Sequence, residues 1–280
     1  FTNFATLSYN GGTTNSNIVT GEILEALTAV KTAVSANYSA GDRITYALSL
    51  VNTGTAAITD YTVTDNLGGY TVGANTVYPL AYNAGSVRYY INGVLQAAPT
   101  VTAGPPLTVT GLTVPAGGSA VLIYETTATP VAPLATGSSI TNTATITGGG
   151  LTTPITAQAT VETANSADLT ISKALSPTTV TENGRITYTF VISNTGNTEA
   201  TATGNVVVTD TFAPILRNIA VTYNGTAWTE GTNYTYNAAT GVFTTLAGQI
   251  TVPAATFTQN TDGTFTVTPG TATLVITGTV

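Results

Sequence analysis

The sequence predicts an all-β protein of tandem immunoglobulin-like β-sandwiches. Three observations carry this: apolar and polar residues alternate at period two, Thr and Val are abundant, and Gly, Pro and Asn interrupt the alternating runs. In chain order, "FTNFATLSYNGGTTNSNIVTGEI" (1–23) holds two alternating runs around Gly-Gly and reads as a hairpin. Its apolar residues are Phe1, Phe4, Leu7, Tyr9 and Ile18. "GEILEALTAVKTAV" (21–34) is the one helix-like stretch; it lacks a cap and a stop and is read as a strand entering the next domain. "RITYALSLVN" (43–52), "YTVTDNL" (61–67), "SAVLIYETTA" (119–128) and "PITAQATV" (154–161) read as strands, with turns at "NTG", "PAGG" and "TGGG".

Composition narrows the function. With 42% hydrophobic residues in 280 the chain can build a core, and only 7% are charged. A net charge of −7 argues against a nucleic-acid partner, which needs a basic face. The chain has no Cys, His or Met, so disulfides, thiolate or imidazole metal sites and a Ser-His-Asp triad are excluded. No cofactor or metal is expected, Asp60, Asp65 and Asn66 being too sparse for a calcium cage. No apolar run has the ~18 residues of a membrane helix, and no membrane insertion is expected.

An internal repeat organises the chain. "LTAVKTAVSANYSAGDRITYALSLVNTG" (27–54) aligns without a gap with "LTISKALSPTTVTENGRITYTFVISNTG" (169–196), and "YTVTDNL" with "VVVTDTF" (206–212). "SAVLIYETT" (119–127) corresponds to "TATLVITGT" (271–279). The first repeat continues into a closing hairpin, "SSITNTATITGGGLTTPITAQATV" (138–161), whereas the second stops where that hairpin is due. The pattern of 140–161 recurs at 1–23. The domains are therefore expected as an N-terminal donor hairpin (1–23), a complete sandwich (24–164) and an incomplete acceptor sandwich (165–280). The linker at 20–27, at roughly 3.3 Å per residue, is too short for the hairpin to reach the distant domain of its own chain. It is expected to complete the acceptor of another subunit, a head-to-tail contact that propagates as a filament. A chain whose ends are trimmed leaves the same pattern.

Both lysines of the chain, Lys31 and Lys173, occupy the same repeat position, and each lies in a strand. Together with "VVVTDTF" and "ITNTATIT", the segment "LTISKALSPTTVTENGRITYTFVISNTGNTEA" resembles the bacterial surface repeat catalogued as domain of unknown function eleven. It also resembles the collagen-adhesin-type domains of Gram-positive pilins. The resemblance implies secreted or surface-displayed sandwich arrays without turnover of a substrate. It further implies an isopeptide bond from a first-strand Lys to a last-strand Asn, assisted by a buried acid. Carried over, Lys31 pairs with Asn142 beside Asp65; Lys173 and Asp210 match in the second domain, whose Asn is Asn3 of a neighbouring subunit. Glu125 is the alternative acid for the first domain, although its repeat counterpart is Thr277 or Gly278.

The expected function is a structural subunit of an extracellular filament, a pilus-like or spore- or cell-surface appendage, whose partner is itself. The rival is a monomeric adhesin or stalk module presenting its aromatic clusters (78–90 and 226–236) to a glycan or host protein, with Trp228 the residue to test. Core packing is the competing role for most of these tyrosines. Asn37, Asn224 and Asn233 fit the glycosylation pattern, which a chain rich in Asn and Thr matches by chance.

Overall fold

The structure, a computed structural model, describes residues 2–21 and 26–280. Phe1 and the part of the helix-like stretch at 22–25 lie outside the described residues; Leu27–Ala33, its continuation, is a strand. The described fold is all-β, with one 3-10 turn at Ala202–Gly204. No helix among the described residues is long and apolar enough to cross a membrane.

The first sandwich packs two six-stranded sheets over one core. One sheet runs Val94–Leu95, Arg88–Ile91, Ser119–Ala128, Arg43–Asn52, Leu27–Ala33, with Leu80–Tyr82 also pairing Ser119–Ala128. The other runs Thr100–Thr102, Leu107–Val114, Ile58–Asp65, Ser139–Gly148, Ile155–Thr163, Asn37–Tyr38. Alternation explains the packing. Along Arg43–Asn52 the side chains of Ile44, Tyr46, Leu48 and Leu50 are buried. At about 2 kcal/mol each, these four contribute an amount comparable with a domain's net stability. A one-residue slip would expose them all, so the register is enforced.

The second sandwich repeats this plan in part. Its larger sheet runs Leu169–Ser176, Arg185–Asn194, Gly270–Thr279, Arg217–Tyr223, Thr226–Trp228, and its smaller one Thr209–Thr211, Val242–Thr245, Tyr234–Asn237. Both contribute to a second core built around Phe190, Phe212, Phe243 and Leu274. The strands Ser139–Gly148, Ile155–Thr163 and Asn37–Tyr38 have no counterpart there among the described residues. The consequence is visible next door. In the first sandwich Tyr61–Asp65 pairs with Leu107–Val114 on one side and Ser139–Gly148 on the other. Its repeat equivalent, 206–210, has a partner on one side only, and strand structure is confined to Thr209–Thr211. Val206–Val208, strand-like in sequence, lies outside the ladder, although Val208 exchanges bonds with Thr245, its O accepting the Thr245 N–H and its N–H donating to Thr245 Oγ1, each at 2.9 Å.

The repeated "NTG" turn has a specific cause. Asn52 and Asn194 are buried, and each donates its amide to backbone carbonyls of two loops: Ala56 at 2.9 Å and Pro115 at 3.0 Å, Thr198 at 2.8 Å and Pro253 at 3.0 Å. Each Oδ1 accepts the N–H of the following glycine, Gly54 or Gly196, at 2.9 Å. A Cβ on Gly196 would lie 2.2 Å from the Ser166 carbonyl, so the third position of the turn takes Gly. Asn197 then ties the sandwiches together through Leu134 and Ala164 carbonyls, each at 2.9 Å.

The N-terminal segment is a hairpin: Thr6–Tyr9 pairs with Gly12–Asn15 across an Asn-Gly turn, and Thr2–Asn3 with Val19–Thr20. All of residues 2–20 are exposed, including Phe4, Leu7, Tyr9 and Ile18.

Candidate functional site

The inward faces of three strands converge in the first sandwich. Lys31 projects from Leu27–Ala33 in one sheet, on the face that buries Leu27. Asp65 ends the strand Ile58–Asp65 in the facing sheet, opposite Ala144 of Ser139–Gly148. Asn142 is two residues from Ala144 and therefore shares its inward face. Lys31 Nζ lies 2.5 Å from Asp65 Oδ2, with side chains 0% and 1% exposed. The Tyr124 hydroxyl donates to the same oxygen, and the Leu67 N–H donates to Oδ1 at 3.0 Å. The Lys31 ammonium also sits 4.8 Å from the Tyr46 ring centre and 5.8 Å from that of Tyr124. Asn142 is fully buried, and neither its Oδ1 nor its Nδ2 has a hydrogen-bond partner.

This arrangement is costly as pure structure. Burying an ion pair carries a desolvation penalty of several kcal/mol per ion, and an unpartnered buried amide costs about 1–3 kcal/mol more. Burial pushes the Lys31 ammonium down to about 8, against the attraction of Asp65. Its neutral, nucleophilic form is accordingly accessible near neutral pH. Burial raises the Tyr46 and Tyr124 hydroxyls well above the usual phenol value, so both remain proton donors. A nucleophilic amine, a carboxyl in contact with it and an unengaged carboxamide can together exchange one amide for another.

The second sandwich holds the same pair in the open. Lys173 Nζ is 2.5 Å from Asp210 Oδ2, with side chains 40% and 18% exposed. Rings of Tyr188, Phe190 and Phe212 surround the ammonium at 4.5, 5.5 and 5.6 Å. The face that buries Leu27 and Lys31 in the first sandwich is uncovered here: Ile171 is 55% exposed, and Leu175 beside Lys173 is also exposed. Asn3 stands on the exposed hairpin, its backbone paired with Val19.

Other residues singled out from sequence sit elsewhere. Glu125 faces outward on the Tyr124 strand, 3.6 Å from Arg43, so the acid beside Lys31 is Asp65. Trp228 is half-buried against the second core and stacks on Tyr223 with ring centres 4.8 Å apart. Asn233 donates to Gln249 at 2.7 Å and Asn224 accepts from Thr273 at 2.8 Å, whereas Asn37 is exposed. Asp60, Asp65 and Asn66 do not converge: Asp65 is engaged by Lys31, and Asn66 Oδ1 accepts the Gly68 and Thr143 N–H groups. Sequence reasoning missed Tyr46 and Tyr124. The first had a signal, since "RITYALS" and "RITYTFV" place Tyr46 and Tyr188 at one repeat position.

No protein-family model matches the chain, and no curated protein matches it. Among solved structures it is similar to BcpA, the major pilin subunit of Bacillus cereus, at 14% identity and TM-score 0.36 over 97% of this chain and 73% of that one. It is similar to the pilus backbone RrgB from Streptococcus pneumoniae at 14% identity and TM-score 0.36, over 87% and 55%. For the N-terminal domain of the Streptococcus gordonii adhesin Sgo0707 the values are 14% and 0.35, over 48% and 31%. The chain thus spans under a third of the adhesin chain and just over half of the pilus backbone. Similarity of this degree leaves the site to be read from its own geometry.

Proposed function

We propose that the chain is a structural subunit of an extracellular filament that assembles head-to-tail, the hairpin of one copy completing the second sandwich of the next. The observation that carries this is the contrast between equivalent faces. Strands 139–163 bury Lys31 and Asp65 in the first sandwich, while the matching face around Ile171, Lys173 and Leu175 is open. The hairpin fits that face by sequence: Asn3, Ala5 and Leu7 align with Asn142, Ala144 and Ile146, all buried in the first sandwich. Phe4, Leu7, Tyr9 and Ile18 are exposed and gain from burial, and Val206 and Val207, outside any ladder, leave room for strand addition.

Each docked site is read as a self-acting amide exchange. Asp65 takes a proton from the Lys31 ammonium, leaving a neutral amine. Nζ attacks Cγ of Asn142, and the new C–N bond forms as the carbonyl electrons move onto Oδ1. Asp65 returns its proton to Nδ2 and accepts one from Nζ. The Cγ–Nδ2 bond breaks, ammonia leaves, and an amide links the strands. Burial holds the groups together at an effective molarity on the order of 10⁵ M or more, so folding itself starts the reaction. Lys173, Asp210 and an incoming Asn3 would repeat it between chains.

Complementary variants test the assembly. Asn3→Ala can accept but not donate, and Lys173→Ala can donate but not accept. Mixed together they should give one covalent dimer and no longer ladder. Monomers only, or a Lys173–Asn3 link closed within one chain of the parent, would overturn the head-to-tail reading. A monomeric ligand-binding module would leave both chains unlinked.

A further inference from the structure

The proposed amide exchange needs a group to hold the negative charge that develops on the carboxamide oxygen, and neither Lys31 nor Asp65 is free to do so. Asp65 Oδ2 is shared between Lys31 and Tyr124, and its Oδ1 is held by the Leu67 N–H. Among the described residues, five buried side-chain polar atoms lack a partner, and three of them belong to Tyr46 and Asn142. These are the Tyr46 hydroxyl and the two ends of the Asn142 amide. The Tyr46 ring stacks on Tyr124 with centres 5.8 Å apart and lies 4.8 Å from Lys31 Nζ. The Tyr46 and Tyr124 hydroxyls both lie within electrostatic reach of the Asn142 side chain, and that of Tyr46 closes no hydrogen bond.

Resting on the reading above, we propose that Tyr46 is a catalytic residue of the exchange, its hydroxyl donating to Asn142 Oδ1 as the tetrahedral oxyanion forms, and that Tyr188 does the same for Asn3 at the inter-chain joint. A hydroxyl unsatisfied in the ground state and paired only as charge develops stabilises the transition state alone, the condition for raising a rate. The repeat separates this hydroxyl from its neighbour. Tyr46 has its equivalent in Tyr188, whose ring stands 4.5 Å from Lys173 Nζ. Tyr124 aligns with Ile276, so its bond to Asp65 is particular to the first site. The hydroxyl common to both sites is that of Tyr46 and Tyr188. No proton is consumed: the phenol donates a hydrogen bond to the oxyanion and keeps its proton when the carbonyl reforms.

The test is the rate of covalent dimer formation after mixing a Lys173→Ala donor with an Asn3→Ala acceptor, the acceptor carrying Tyr188 or Tyr188→Phe. Tyr188→Phe should slow linkage by roughly 10²-fold while non-covalent docking, measured at early times, stays at the parent level. In parallel, newly translated chain should lose its internal ammonia equally slowly with Tyr46→Phe. Its melting temperature, taken in an Asn142→Ala background that cannot crosslink, should not fall, because the deleted hydroxyl satisfied nothing. Linkage at the parent rate in both variants overturns the proposal. A fall in docking or melting temperature that accounts for the slower rate also overturns it, assigning the tyrosines to packing. If the parent chains themselves never link and never lose ammonia, the amide-exchange reading fails first and the tyrosine role with it.

Discussion

Lys31 and Lys173 occupy the same repeat position, and each places its Nζ 2.5 Å from an aspartate Oδ2, yet the first pair is sealed and the second is open. The difference lies in what covers them. The strands Ser139–Gly148 and Ile155–Thr163 close the first site. Over the second, nothing among the described residues takes their place.

Removing the acid should therefore have unequal effects. Asp65→Ala leaves a buried ammonium without its partner, a change that typically costs about 3–5 kcal/mol, and it removes the proton carrier. The first sandwich should melt at markedly lower temperature and show no internal ammonia loss by mass. Asp210→Ala breaks an exposed pair worth about 0–1 kcal/mol. Its monomer should melt nearly as the parent does while forming no covalent ladder.

The pH dependence follows from the sign of the Lys31 shift. Burial lowers its folded value from 10.5 to about 8, so between these values the unfolded chain binds the extra proton. Stability of an uncrosslinked chain, Asn142→Ala, should then rise as pH increases from about 8 towards 10. Above the ordinary phenol value of 10.0 the trend should reverse, because burial holds Tyr46 and Tyr124 protonated only in the folded state. Denaturant titrations across this range check both limbs. A monotonic fall from pH 8 would contradict the buried position of Lys31.

The hairpin can be disabled without touching a core. Leu7 is exposed, so Leu7→Asp should leave the melting of both sandwiches unchanged. Assembly, followed by light scattering, should be lost, because the aligned position Ile146 is fully buried. Persistent assembly would show that some other surface joins the subunits.

Trp228 should behave as a packing residue. It stacks on Tyr223 and borders the second core. Trp228→Ala should lower the stability of that sandwich by about 2 kcal/mol. Glycan or protein binding that vanishes in this variant at unchanged stability would instead support the adhesin reading.

Much of the all-β fold was legible because alternation maps directly onto faces: the strands read at 43–52 and 119–128 match their observed bounds. The short strand Thr209–Thr211 was not, because "VVVTDTF" has the composition of a longer one, and ladder pairing depends on residues outside it. The "NTG" turns looked like ordinary punctuation; their buried Asn side chains, tied to two distant loops, could not be inferred locally. At the candidate site, paired lysines in a lysine-poor chain drew attention to Lys31 and Lys173. The tyrosines beside them were hidden among 14 of their kind; repeat position marks Tyr46, whose equivalent is Tyr188, whereas only contact geometry separates Tyr124 from core Tyr such as Tyr61.

The most direct measurement is to boil the assembled chain in detergent and sequence its crosslinked peptides by mass spectrometry. The account predicts a ladder of multimers, with a branched peptide joining Lys173 of one chain to Asn3 of another and lighter by about 17 Da, the mass of one ammonia. A monomer band of unmodified mass, or a crosslink that omits Lys173, would contradict it.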